Sequence, residues 1–228
     1  MPVIPARPSQ LPIAITMGDP AGIGPEIIAK AFRDDPAVTA GCFVVGDMAT
    51  LRRASAVVSG PGRPLIPVSR IDAPQDVFET PPRCIPVLQM PRRLGPVAVG
   101  RVSAEAGQAA ADCVVWAAQA ALRKEIGAIV TAPLHKEALA AAGISYPGHT
   151  ELLQAQAAAF LGKTVSDVPV RMMLANDELR TVLLSIHVAL RDAIDAVTPE
   201  NLQETLRITH ESVAVSYTHL TLPTSDLV

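Results

Sequence analysis

Short, unbroken apolar runs alternate with alanine-rich stretches of helical spacing along most of this chain, and that alternation sets the class of fold. Runs at 12–17, 42–46, 65–68, 84–88, 128–131, 170–174 and 180–187 read as strands, and 25–33, 103–124, 136–142, 151–161 and 199–210 read as helices. Several strand candidates lack any polar alternation, as expected of strands covered on both faces. Strands that alternate with helices make an α/β fold around a mostly parallel sheet. Two helix starts are well signalled. Ser103 stands where an N-cap belongs, with Ala106, Ala110, Cys113, Val114, Ala117 and Ala121 following at helical spacing, and Thr198 precedes Pro199, a residue suited to the first helical position. The proline-rich stretch 59–93 reads as short strands joined by stiff loops.

Composition narrows the function classes. The 228 residues are 49% hydrophobic but only 3% aromatic, so the core must be built from Ala, Val, Leu and Ile. A net charge of −3 leaves no basic footprint for nucleic acid, and the interspersed charges suggest no membrane surface. No run approaches the roughly 20 apolar residues that span a bilayer, and the proline-broken N-terminus does not read as a signal peptide. Cys42, Cys84 and Cys113 are far apart, odd in number and without paired spacing, which argues for buried thiols over a disulfide framework or a zinc knuckle. The expectation is a soluble, cytoplasmic protein.

Four motifs bear chemistry-capable residues. Thr16-Met17-Gly18-Asp19-Pro20-Ala21-Gly22-Ile23-Gly24-Pro25-Glu26 carries a strand into a Gly/Pro loop and then a helix. It reads as a structural turn or as a ligand loop, and it matches neither a dinucleotide fingerprint nor a P-loop. Thr131-Ala132-Pro133-Leu134-His135-Lys136 follows a strand end, where ligand groups gather in open α/β sheets; its His-Lys pair suits an anion or simple surface packing. In Tyr146-Pro147-Gly148-His149-Thr150-Glu151, Thr150 is the expected cap of a helix beginning near Glu151, with His149 beside an anion-favouring helix start; a plain capping turn is the alternative. In Ser185-Ile186-His187-Val188-Ala189-Leu190-Arg191-Asp192, His187 is expected to end an apolar strand, as a metal ligand or as a structural residue.

Taken in order, TMGDPAGIGPEI, TAPLHKEAL, AGISYPGHTELL and SIHVALRDAI followed by TPENL resemble the 4-hydroxythreonine-4-phosphate dehydrogenase (PdxA) family over about residues 12 to 212. The resemblance implies a fold like isocitrate and isopropylmalate dehydrogenases: two α/β/α lobes with a mostly parallel sheet and a cleft between them, in a homodimer. It implies NAD-dependent oxidation of 4-phosphooxy-L-threonine at C3, then decarboxylation to 3-amino-2-oxopropyl phosphate, on the route to pyridoxal phosphate. It further implies that His149 and Thr150 contact the small phosphorylated substrate and that His187 is one of three histidines on a divalent metal (zinc, magnesium or cobalt). Asp19 and Lys136 are supporting candidates without a matched role. The family's other two metal histidines and its later phosphate-binding Lys, Asn and Arg have no counterpart here; His210 and His219 do not match them. The C-terminal third is therefore expected to be missing, leaving an incomplete two-lobed dehydrogenase domain at 1–214 that is itself inactive. Residues 215–228, with Tyr217 and His219, read as a non-native tail. Two alternatives accompany this reading: a sister dehydrogenase of phosphorylated threonate or erythronate, and a non-catalytic phosphate-binding or dimerisation module.

Overall fold

A computed structural model describes residues 11–62 and 64–216, with side chains as far as Val213. Tyr217, His219 and most of the stretch read as a tail lie outside the described residues. The chain divides into two compact units, Met1–Val168 and Pro169–Val228.

The first unit holds β1 (Ile13–Thr16), α1 (Gly24–Asp34), β2 (Cys42–Gly46), α2 (Met48–Ser59), β3 (Val68–Ile71), β4 (Ile85–Gln89), α3 (Ala104–Leu122), β5 (Ala128–Thr131), α4 (Lys136–Ala141) and α5 (His149–Leu161). Its five strands form one sheet in the order β3-β4-β2-β1-β5, and every pair is parallel. All five residues of β2 are buried, with Phe43, Val44 and Val45 fully enclosed. Burying each such side chain contributes about 1.5–3 kcal/mol, so this central strand anchors the core.

The N-cap of α3 is Ser103, whose Oγ accepts from the Ala106 N–H at 3.1 Å. The helix buries Ala109, Ala110, Cys113, Ala117 and Ala120, and Trp116 meets Phe43 of β2 edge-on, with ring centroids 6.1 Å apart. Burial pushes the Cys113 thiol up to about 12 and also raises Cys42 and Cys84, so all three buried thiols stay protonated as small apolar fillers. Alanine-rich packing lets backbones come close. A Cβ on Gly107 of α3 would lie 2.0 Å from the Ala138 carbonyl oxygen of α4, so only glycine fits there.

Three expectations need correction. Helix α2 had no counterpart in the sequence reading. The Asp47 carboxylate caps it by accepting from the Thr50 N–H at 2.9 Å, and Gly60 ends it at φ +69°. The strand expected at 65–68 is displaced to Val68–Ile71, because Leu65 is 63% exposed and Pro67 has no N–H to donate to a ladder. The strands expected at 170–174 and 180–187 are much shorter. In the second unit β6 (Met173–Ala175) and β7 (Arg180–Val182) make their own antiparallel pair, followed by α6 (Leu190–Asp195) and α7 (Pro199–Ser216). Arg171 ties the base of this hairpin to α7 through Glu204 (2.7 Å) and the Thr205 hydroxyl (2.9 Å).

Candidate functional site

The strand order locates the crevice. From β1 the chain lays down β2, β3 and β4 on one side of it, then returns to place β5 on the other side. Loops leaving the carboxyl ends of β1 and β5 therefore diverge, and such a switch point is where open α/β sheets hold ligands. The first motif leaves β1 there and the second leaves β5.

Backbone bonds join the two turns. The Ala132 N–H donates to the Thr16 carbonyl at 3.2 Å, and the Asp19 N–H donates to the Pro133 carbonyl at 2.9 Å. Gly18 makes this approach feasible, with φ +73° and a missing Cβ that would fall 2.5 Å from the Pro133 oxygen. The far side of the loop is braced as well: Arg53 Nη2 of α2 donates to the Pro20 carbonyl at 2.7 Å, and the Gly100 N–H donates to Ala21 at 2.8 Å. Asp19, only 5% exposed, accepts from the Ala21 N–H through Oδ1 at 2.8 Å. Beyond the second turn, His135 and Lys136 are both exposed.

The third motif reaches the same turn. Helix α5 begins at His149, its N-cap is Gly148, and no side chain bonds back to the cap. Thr150 is thus the second residue of the helix and not its cap, which corrects the sequence expectation. The first N–H groups of α5 have no side-chain cap, an arrangement that favours an anion. His149 is half-buried and its Nε2 is enclosed without a hydrogen-bond partner. Burial holds its pKa below the ordinary 6.5, opposed in part by the Ala132 backbone. The imidazole is therefore neutral at neutral pH and carries a polar atom with nothing to satisfy it.

With a folded pKa below the unfolded one, the unfolded chain takes up the proton first, so His149 favours the fold above pH 6.5 and loses that contribution as the pH falls below it. Melting of the wild type should drop more steeply below pH 6.5 than melting of His149→Gln; parallel pH profiles would contradict this.

His187 belongs to the second unit. It does not end a strand: β7 stops at Val182, and His187 sits in an exposed bend at φ +57°, a left-handed backbone that cannot continue an extended ladder. Among the described residues no three His, Cys, Asp or Glu side chains come together to hold a metal ion. A lone imidazole is not a metal centre.

Comparison with known proteins agrees with these observations. Residues 39–220 match the family described as pyridoxal phosphate biosynthetic protein PdxA. A 4-hydroxythreonine-4-phosphate dehydrogenase of Beijerinckia indica is 45% identical over 88% of this chain and 55% of its own length. A D-threonate 4-phosphate dehydrogenase of Salmonella typhimurium is 39% identical over 86% of this chain and 57% of its own. The crystal structure of a 4-hydroxythreonine-4-phosphate dehydrogenase from Burkholderia phymatum superposes with a TM-score of 0.76 at 32% identity, covering 91% of this chain and 59% of that one. The chain thus spans somewhat more than half the length of the relatives it matches. With a parallel sheet whose switch point gathers three of the four motifs, and with the family match running over most of its residues, this chain belongs to the PdxA family of pyridoxal phosphate biosynthetic proteins.

Proposed function

We propose that this chain supplies the substrate-binding turns of a cytoplasmic, homodimeric, divalent-metal-dependent dehydrogenase. It oxidises 4-phosphooxy-L-threonine at C3 with NAD⁺. NAD⁺, when bound, would take the C3 hydrogen as hydride, and the hydroxyl proton would be lost to a base, giving a ketone β to the carboxylate. That carboxylate would depart as CO₂, leaving its electron pair on C2 as the enolate of the ketone, and uptake of a proton at C2 gives 3-amino-2-oxopropyl phosphate.

The observation that carries this reading is the enclosed, unpartnered Nε2 of His149 at the uncapped start of α5, beside the turns that leave β1 and β5. A buried polar atom without a partner costs about 1–3 kcal/mol, and a bound ligand offsets that. In this reading His149 and the Thr150 hydroxyl hydrogen-bond the substrate, and the free N–H groups of α5 face its anionic end. In the same reading His187 would offer one imidazole to a divalent metal, which alone does not hold the ion.

A relative acting on D-threonate 4-phosphate supports a second reading. The two acids differ at C2, amino against hydroxyl. A chimera decides between them, with residues 1–214 replacing the matched part of the Beijerinckia indica enzyme and NADH formation followed with either acid. The expected result is a preference of at least about tenfold for 4-phosphooxy-L-threonine, and a loss of about a hundredfold in His149→Ala. Preference for D-threonate 4-phosphate would establish the second reading, and no NADH with either acid would remove both. The 228-residue chain alone is expected to form none, since its described residues assemble no metal centre.

A further inference from the structure

The first motif has no part in the proposed contacts, yet it holds a nearly buried carboxylate, Asp19, that makes no ion pair among the described residues. Asp19 is 95% buried where β1 ends, at the sheet's switch point. Oδ1 accepts from the Ala21 N–H, while Oδ2 has no partner among the described residues and is not fully enclosed, so it stays open to a donor from outside. No cation forms an ion pair with it there; Arg53, one element away, donates to the adjacent Pro20 carbonyl instead. Folding alone does not require the charge, because the bond to Ala21 needs only a side-chain oxygen in that place.

The loop is also fixed in position. Its backbone is bonded to Pro133 on one side, to Arg53 on the second and to Gly100 on the third. Pro133 follows Ala132, the residue whose backbone acts on the His149 imidazole. The loop that carries the carboxylate is thus bonded to the turn beside His149, which the substrate is proposed to meet.

We propose that Asp19 is a substrate-contacting residue of this crevice, its free carboxylate oxygen accepting a hydrogen bond from the donor on C2 of the phosphorylated acid. The assignment rests on the proposed function and extends it to the neighbouring carbon. Both an ammonium and a hydroxyl at C2 are donors, so the contact serves either acid.

The test is a titration of the chimera described above, by calorimetry or by ligand-observed NMR, with 4-phosphooxy-L-threonine and with NAD⁺ in separate experiments. Asp19→Asn keeps the oxygen that serves Ala21 and removes the charge. It is expected to weaken the acid at least about tenfold, the usual loss for an unpaired charged hydrogen bond, while NAD⁺ binding and the melting temperature stay unchanged. A ligand-side probe avoids any dependence on folding of the variant: 3-hydroxy-4-phosphooxybutanoate, which lacks the C2 donor, should bind wild type as weakly as the full acid binds Asp19→Asn. Equal affinity of the two acids for wild type, equal affinity of wild type and variant for the full acid, or a loss confined to NAD⁺ would overturn the assignment. A wild-type chimera that ignores the acid altogether would overturn it together with the proposed function.

Discussion

A Gly107→Ala variant is expected to unfold at a markedly lower urea concentration than the wild type, with a loss of about 3 kcal/mol or more. Two terms oppose each other. Alanine is the better helix former, by about 1 kcal/mol in a helix interior. Against this, the added methyl would sit 2.0 Å from the Ala138 oxygen, 2.3 Å from its carbon and 2.8 Å from the Leu139 nitrogen. All three are backbone atoms, so no side-chain rotation relieves the overlap, and α3 and α4 must separate. The steric term wins. Because α4 follows the second motif directly, the separation also disturbs the turn at Pro133. A variant as stable as the wild type would show that the two helices do not pack this closely.

Gly18→Ala combines two penalties at the crevice itself. At φ +73° a non-glycine residue costs about 1–2 kcal/mol, and its Cβ would lie 2.5 Å from the Pro133 oxygen and 2.9 Å from the Ala132 carbon. To relieve this the loop must lift away, which breaks the bond from the Asp19 N–H to Pro133. The expected outcome is a stability loss of about 3 kcal/mol together with loss of detectable binding of the phosphorylated acid. Calorimetric titration alongside urea unfolding separates the two effects. Retained binding in a destabilised chain would mean that this loop has no part in ligand contact.

The elements legible in the sequence were those whose local pattern and tertiary setting agree. Cys42–Gly46 and Ala128–Thr131 came out with the boundaries read from their apolar runs, and Ser103 announced α3. Helix α2 was hidden because its buried face mixes Leu51 and Ala54 with Thr50, Ser55 and Ser59, which dilutes the apolar periodicity; Asp47 before it and Gly60 after it were the available signals. The strand at Val68–Ile71 is an edge strand of mixed burial, so it never formed an apolar run. At the site, the motifs themselves were readable, but their meeting was not. The pairing of β1 with β5 is long-range, and only that pairing puts Gly18 against Pro133. His187 misled for a related reason: an apolar run preceded it, yet a left-handed residue closes no strand.

The place of β1 in the sheet also bears on how the molecule comes into being. As the chain leaves the ribosome, β1 finds β2 early, and β4 slots in between β2 and β3 soon after. Its other neighbour, β5, is synthesised only after the whole of α3. Closing so large a span is entropically expensive and slow relative to local pairing. The nascent protein therefore owns most of its hydrophobic interior well before the turns after β1 and β5 can meet, because the crevice waits on the last of the five parallel strands.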